Sequence, residues 1–273
     1  FSTFFILHIC ISELVFNKNN VMQTNTENKQ QFPTEEVTLP SKGLLYPKDS
    51  LLRSGKIEMK YMTAKEEDIL TNQNYINNGT VIDKLIKSLI VTPINYNELL
   101  IGDKNAILVA ARILGYGSDY EFSYSGEDYT IDLTKIEDKE LSKNVTNVGK
   151  NEFDFTLPAS KIKITFKLLT HGDEKSIAAE LKGLKKINKN ASHELTTRLK
   201  HIILSFNGEY DKSKIREFVD NQLLARDARS LRKKIAEIQP DVDLKHTVED
   251  NNGDLVEVPI PIGINFFWPD VEV

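Results

Sequence analysis

The run GDKNAILVAARILGYG, residues 102–117, leads through one serine into DYEFSYSGEDYTIDL, residues 119–133, and the two stretches obey different periods. In the first, Ala106, Ile107, Ala110, Ile113 and Leu114 recur at helical spacing, so they form one buried face. Gly102 and Asp103 open that helix, and Gly115 and Gly117 close it. In the second, polar and apolar residues alternate on either side of Ser125-Gly126, which predicts a β-hairpin. A helix feeding straight into a hairpin predicts an α+β chain: short antiparallel hairpins and a small sheet packed with several amphipathic helices.

Working outward, KIEMKY at 56–61 alternates Ile57, Met59 and Tyr61 against charged residues, the period of a half-exposed strand. Thr63 and Glu66 then form a capping box that starts a helix, where carboxylates are favoured by the helix dipole. Val81 to Ile90 repeats at helical spacing, with Asp83 and Lys87 paired across one turn, until Pro93 ends it. Further upstream, Glu36 to Leu39 is extended. Pro40, Gly43 and Pro47 then bend the chain into a rigid irregular arm, SKGLLYP, that presents Leu44, Leu45 and Tyr46. Downstream, EFDFTLP and IKITFKL form a second β pair.

The remainder reads as mostly helical. Gly172-Asp173 introduces a helix through Leu184. Ser192 caps another, whose stripe of Leu195, Leu199, Ile202, Ile203 and Phe206 runs to Asn207-Gly208. Ser213 starts a third, Ala225 to Ile238 a fourth, and a terminal hairpin turns at Asn251 to Gly253. Three regions follow: residues 1–31 as a disordered lead-in, 32–170 as a mixed α/β part, and 171–273 as a helical part ending in a β-hairpin that packs back on the first. Within the lead-in, residues 1–21 read as translated upstream sequence, with Met22 the natural start. Their apolar run lacks a basic leader and is too short to span a bilayer, so no membrane partner is expected.

The chain of 273 residues carries a formal charge of -5, which argues against a sequence-independent grip on nucleic acid. The lysines ending the Leu181 to Asn190 helix are the one local basic run that could serve such a role. Cys10 is the only cysteine, and His8, His171, His193, His201 and His246 show no metal-type spacing, so neither a disulfide framework nor a multi-thiolate site is available. Gly115-Tyr116-Gly117 lacks the third glycine and following helix of a dinucleotide loop. No serine sits in a nucleophile elbow. No catalytic residue and no cofactor are expected.

Phe266, Phe267 and Trp268 stand side by side near the terminus. In a strand, Phe266 and Trp268 share one face and Phe267 takes the other, so one face needs cover from elsewhere. Partner-facing roles are therefore expected for Phe266, Phe267 and Trp268, and for Leu44, Leu45 and Tyr46 of the arm.

The order LPSKGLLYP, KIEMKYMTAKEEDIL, LLIGDKNAILVAARILGYGSDYEFSY and IQPDVDLKHTVEDNNGDLVEVPIPIGINFFWP resembles the baseplate hub subunits of contractile-tailed bacteriophages, from about Val37 to Pro269. Pro40 and Gly43 of the arm, Thr63 and Glu66 of the cap, and Gly102, Asp103, Arg112, Gly115, Tyr116 and Gly117 of the middle block carry most of the likeness. The resemblance implies a virion or virion-assembly protein of the tail baseplate, present in the host cytoplasm during assembly. Its partners would be other hub, spike or tape-measure proteins, and a homo-oligomer is compatible with it. Hub-assembly chaperones that leave the finished particle belong to the same circle of relatives. Many relatives carry cysteine pairs at two hairpins, spaced as zinc half-sites. Residues 122–126 and 248–253 hold no thiol here, so no structural zinc is expected. Packing of Tyr120, Phe122, Tyr124 and Tyr129 against Leu255, Val256 and Val258 would have to replace it.

Overall fold

Alternation and helical periodicity resolve into short elements in the structure, a computed structural model that describes residues 33–139, 148–187, 193–249, 253 and 255–267. In chain order they are β1 (Thr34–Thr38), β2 (Lys56–Lys60), α1 (Ala64–Leu70), α2 (Gln73–Asn77), α3 (Val81–Leu89) and α4 (Ile101–Tyr116). The hairpin strands β3 (Asp119–Tyr124) and β4 (Glu127–Asp132) follow, then β5 (Phe153–Thr156), β6 (Lys163–Phe166), α5 (His171–Ile187) and α6 (Glu194–Ile202). The chain continues through β7 (Ile203–Phe206), α7 (Lys212–Asn221), α8 (Ala225–Ile238), β8 (Lys245–Glu249), β9 (Leu255–Pro259) and a 3₁₀ turn, Ile264–Phe267. The architecture is α+β, with antiparallel β1-β2, β3-β4, β5-β6-β7 and β8-β9 sheets. Among the described residues no helix is long and apolar enough to cross a membrane.

The expected helix at 102–117 is the axis of the core. Beyond its predicted apolar face it also buries Gly102, Asp103, Leu108, Val109, Ala111 and Arg112, while Ile113 is only half-buried. A helix covered on nearly every side must be met closely by its neighbours. At Gly102 the approach is so tight that a Cβ would lie 1.8 Å from the Pro240 carbonyl oxygen. Asn105 Nδ2 donates to Asp241 Oδ1 at 3.0 Å beside it. The segment after α8 is thereby fastened to the first turn of α4.

Three local expectations are corrected. The stripe from Leu195 to Phe206 predicts one helix, yet the chain leaves helix at Ile202 and β7 pairs with β6, Ile164 opposite Phe206. The β-branched Ile202 and Ile203 suit a pleated surface, and the free edge of β6 supplies ladder hydrogen bonds that a longer helix would forgo. Asn207 and Gly208, with φ 47° and 82°, form a two-residue hairpin turn rather than a helix stop. Asp83 does not pair with Lys87, which lies over the Tyr96 ring at 4.9 Å. The predicted caps at Ser192 and the turn at Asn251 and Asn252 lie outside the described residues.

Substitution tests the close approach at Gly102. Gly102→Ala should destabilise the protein by about 3 kcal/mol or prevent folding, because backbone stands where the methyl must go. Gly183→Ala in α5, with open space around its Cβ position, should stabilise by roughly 0.5–1 kcal/mol. Urea denaturation of both variants checks the pair, and equal effects would disprove the packing argument.

Candidate functional site

The arm and the opening of α4, read separately from sequence, form one junction. The α4 N-cap position is Leu100, which has no side-chain acceptor, so the first amides need other partners. Tyr46 Oη accepts from the Leu100 amide at 2.9 Å, and the Leu169 carbonyl accepts from the Ile101 amide at 3.2 Å. Tyr46 then donates its own proton to Asp103 Oδ2 at 2.5 Å. Ser41 donates twice to the same carboxylate, from its amide at 2.9 Å and its hydroxyl at 2.7 Å. Gly43, at φ 72° with the Arg53 carbonyl packed where a side chain would start, lets the arm turn back so tightly.

Asp103 has no exposed surface. Burial pushes its carboxyl up to about 6, although the Tyr46 and Ser41 donors pull the other way. Burial, and then the neighbouring Asp103 charge, drive the Tyr46 phenol far above its ordinary value, so it remains a donor.

One residue along, Lys104 enters a second cluster between α3, α4 and α5. Its ammonium donates to Asp83 Oδ1 at 2.8 Å and lies 3.2 Å from His171 Nδ1. The other ring nitrogen, Nε2, is 3.3 Å from Asp83 Oδ2, and Tyr96 donates to Asp83 at 3.2 Å. Burial and the Lys104 charge hold His171 below its ordinary pKa. A neutral ring that accepts at Nδ1 and donates at Nε2 satisfies every partner. Both ring nitrogens are therefore engaged within this lysine, histidine and aspartate set.

At the other end of α4, Arg112 is buried. Its guanidinium donates to the Gly117 carbonyl at 3.0 Å and the Asp119 carbonyl at 3.1 Å, and lies over the rings of Tyr116 and Tyr120. Those contacts fix the Gly115-Tyr116-Gly117 exit and aim β3. Tyr120 in turn meets Phe266 edge-on at 4.8 Å and donates to the Pro261 carbonyl.

The expected partner residues are therefore redistributed. Leu45, Tyr46, Phe266 and Phe267 are buried by the chain itself, Leu44 is half-buried, and Trp268 lies outside the described residues. Phe266 and Phe267 do not point to opposite faces of a strand. They sit in a 3₁₀ turn, where three residues per turn let both rings enter the core, edge-on at 5.4 Å. Of the residues expected to pack hairpin on hairpin, Tyr120, Phe122 and Val258 are buried, while Tyr124 and Leu255 are exposed. Pro40 is buried at the root of the arm. Thr63 and Glu66 form their capping box, with Lys60 added at 2.7 Å from the carboxylate. A groove of about 380 Å³ opens beside the arm, with Pro47, Asn97, Leu100 and Thr170 in its lining. Among the described residues no group of three or more His, Cys, Asp or Glu side chains could hold a metal ion.

No protein family, curated protein or solved structure matches this chain.

The raised carboxyl of Asp103 gives stability a definite pH dependence. Its folded pKa lies above the unfolded one, so its contribution is fully present below about 4 and is lost as pH rises through about 6. Relative to Asp103→Asn, which cannot titrate, the wild type should lose on the order of 2 kcal/mol between pH 4 and pH 7. The His171 titration is common to both proteins and cancels. Chemical denaturation across that range measures the difference, and a flat one would sink the assignment.

Proposed function

We propose that the protein is a structural component or assembly factor of the tail baseplate hub of contractile-tailed bacteriophages, working through protein–protein contacts and catalysing no reaction. The observation that supports this reading is spatial. The four sequence blocks that resemble hub subunits are distant in the chain and interlock in the fold. Ser41 and Tyr46 of the first hold Asp103 of the third, and Met62 of the second packs against Gly115 of the third. Pro240 and Asp241 of the fourth meet Gly102 and Asn105, and Phe266 meets Tyr120. Residues that serve one shared junction constrain each other, and such mutual constraint is what keeps a motif set together on a common scaffold.

The closed hydrogen bonding of His171 supports the non-catalytic part of the proposal, since the best-placed titratable cluster has no unsatisfied atom to offer. Partners would then read the outer surface of the arm junction rather than the buried rings of Tyr46, Phe266 and Phe267.

Peptide mass spectrometry of purified tails, alongside affinity capture with hub, spike and tape-measure proteins, tests the reading. The expected result is the chain in finished tails and in captured hub complexes. Presence in hub subassemblies and absence from finished tails would assign the transient chaperone role instead. Absence from both would refute the proposal.

A further inference from the structure

We infer that the outer face of α8 and the outer face of the β3-β4 hairpin are the two halves of a contact between copies of this chain. The inner side of α8 is accounted for: Ala228, Leu231 and Ile238 are in the core, and buried Asp227 accepts from the Ala159 and Ser160 amides at 2.7 and 2.9 Å. The outer side carries Arg226, Arg229, Arg232 and Lys233, all exposed. None of the four makes an ion pair within the described residues, and Arg232 reaches only the Ala228 carbonyl, at 3.4 Å. Elsewhere this net-acidic chain pairs its cations readily, as in Lys104–Asp83, Lys167–Asp173 and Arg198–Glu174. Arg226 and Arg229 stand three residues apart and Arg229 and Lys233 four, spacings at which like charges on a helix repel.

The hairpin has the opposite imbalance. Its inner side places Tyr120, Phe122 and Ile131 in the core. Its outer side presents Asp119, Glu121 and Asp128, with Asp132 half-exposed beside them. Asp119 stands directly opposite Asp132 in the ladder, and Thr134, donating from its hydroxyl and amide, together with the Lys135 charge holds the Asp132 carboxyl below its ordinary range. No lysine or arginine occurs between Arg112 and Lys135.

The two faces match in extent. Arg226 to Lys233 spans about 10 Å along the helix axis, and Asp119 to Ser123 spans about 14 Å along the strand. Exposed cations outnumber acids on the outer side of α8, and the outer side of the hairpin carries acids and no cation, so the two faces are complementary in charge. Because the halves differ, each copy keeps one face free after binding, so the contact propagates into a ring or a chain of subunits. The inference concerns copies of one chain and stands apart from the hub reading.

Light scattering of the full chain at about 50 mM and about 500 mM salt, which differ several-fold in screening of exposed charges, is the first measurement. Mass above the 31.1 kDa monomer at low salt, returning to monomer at high salt, is expected. The triple variant R226E/R229E/K233E and the double variant E121K/D128K should each be monomeric at low salt. Mixed in equal amounts they should associate again, because each supplies the charge the other lacks, and that recovery shows both are folded. A wild type that stays monomeric at low salt overturns the inference. So does association of either reversal variant alone, or failure of the mixture to associate while both show native circular dichroism. Salt-sensitive retention of duplex DNA by the wild type, lost in the triple variant, would assign the α8 face to nucleic acid and likewise overturn it.

Discussion

A carboxylate with no access to water, Asp103, is the constraint on which the arrangement depends. An isolated buried charge of this kind is unstable unless donors converge on it. The donors come from Ser41 and Tyr46, 62 and 57 positions away in sequence, so the arm between β1 and β2 has to fold over the start of α4. Tyr46 also caps the Leu100 amide, which means a single phenol joins the arm's closure to the helix's beginning. Once α4 is set, Gly102 admits the Pro240 segment, Lys104 gathers α3 and α5, and Arg112 directs the hairpin.

Local patterns carried the elements well wherever the cause of structure was local. The span of α4, the Ser125-Gly126 turn, the Thr63–Glu66 cap and the β5-β6 pair all follow from spacing, caps or turn chemistry within a few residues. The misreadings share a different origin. Ile202, Ile203 and Phe206 fit a helical stripe, and only the waiting edge of β6 makes them a strand. Asn207-Gly208 held the signal, since that dipeptide between apolar runs favours a hairpin turn as strongly as it ends a helix. Strand alternation would put the aromatic end at a period of two, whereas the Gly263 carbonyl accepts from the Phe266 amide and starts a tighter turn that brings both rings inside.

The candidate site was legible as residues and not as a place. Asp103 reads in sequence as part of a helix opening, and nothing near it indicates that Ser41 and Tyr46 are its partners. Lys104, His171, Asp83 and Tyr96 come from separate segments, and no spacing rule connects them. Leu45 and Tyr46 looked like sticky surface because burial cannot be read from a short irregular stretch, where neither helical nor strand period says which side is covered.

The two ends of α4 follow one logic with opposite signs. Asp103 lies in the first turn of α4, where the helix dipole favours a carboxylate, and Arg112 reaches past the last turn to the Gly117 and Asp119 carbonyls. They stand nine residues apart, about 13 Å along the axis, too far to neutralise each other as a pair. Each is instead satisfied by directed hydrogen bonds, Asp103 by hydroxyls and an amide, Arg112 by backbone carbonyls and flanking rings. Replacement by hydrophobic residues would spare the desolvation cost and would remove directed contacts that distinguish the arm's docking from other apolar packing, alongside the Lys42–Asp138 pair and the Gly149 amide bond to the Leu44 carbonyl. Removing any one partner of such a set would leave an uncompensated buried charge, which ties the arm and the hairpin to these positions. In a core made largely of interchangeable Leu, Ile, Val and Ala, the charges at the two ends of α4 are what give the arm and the hairpin a single address each.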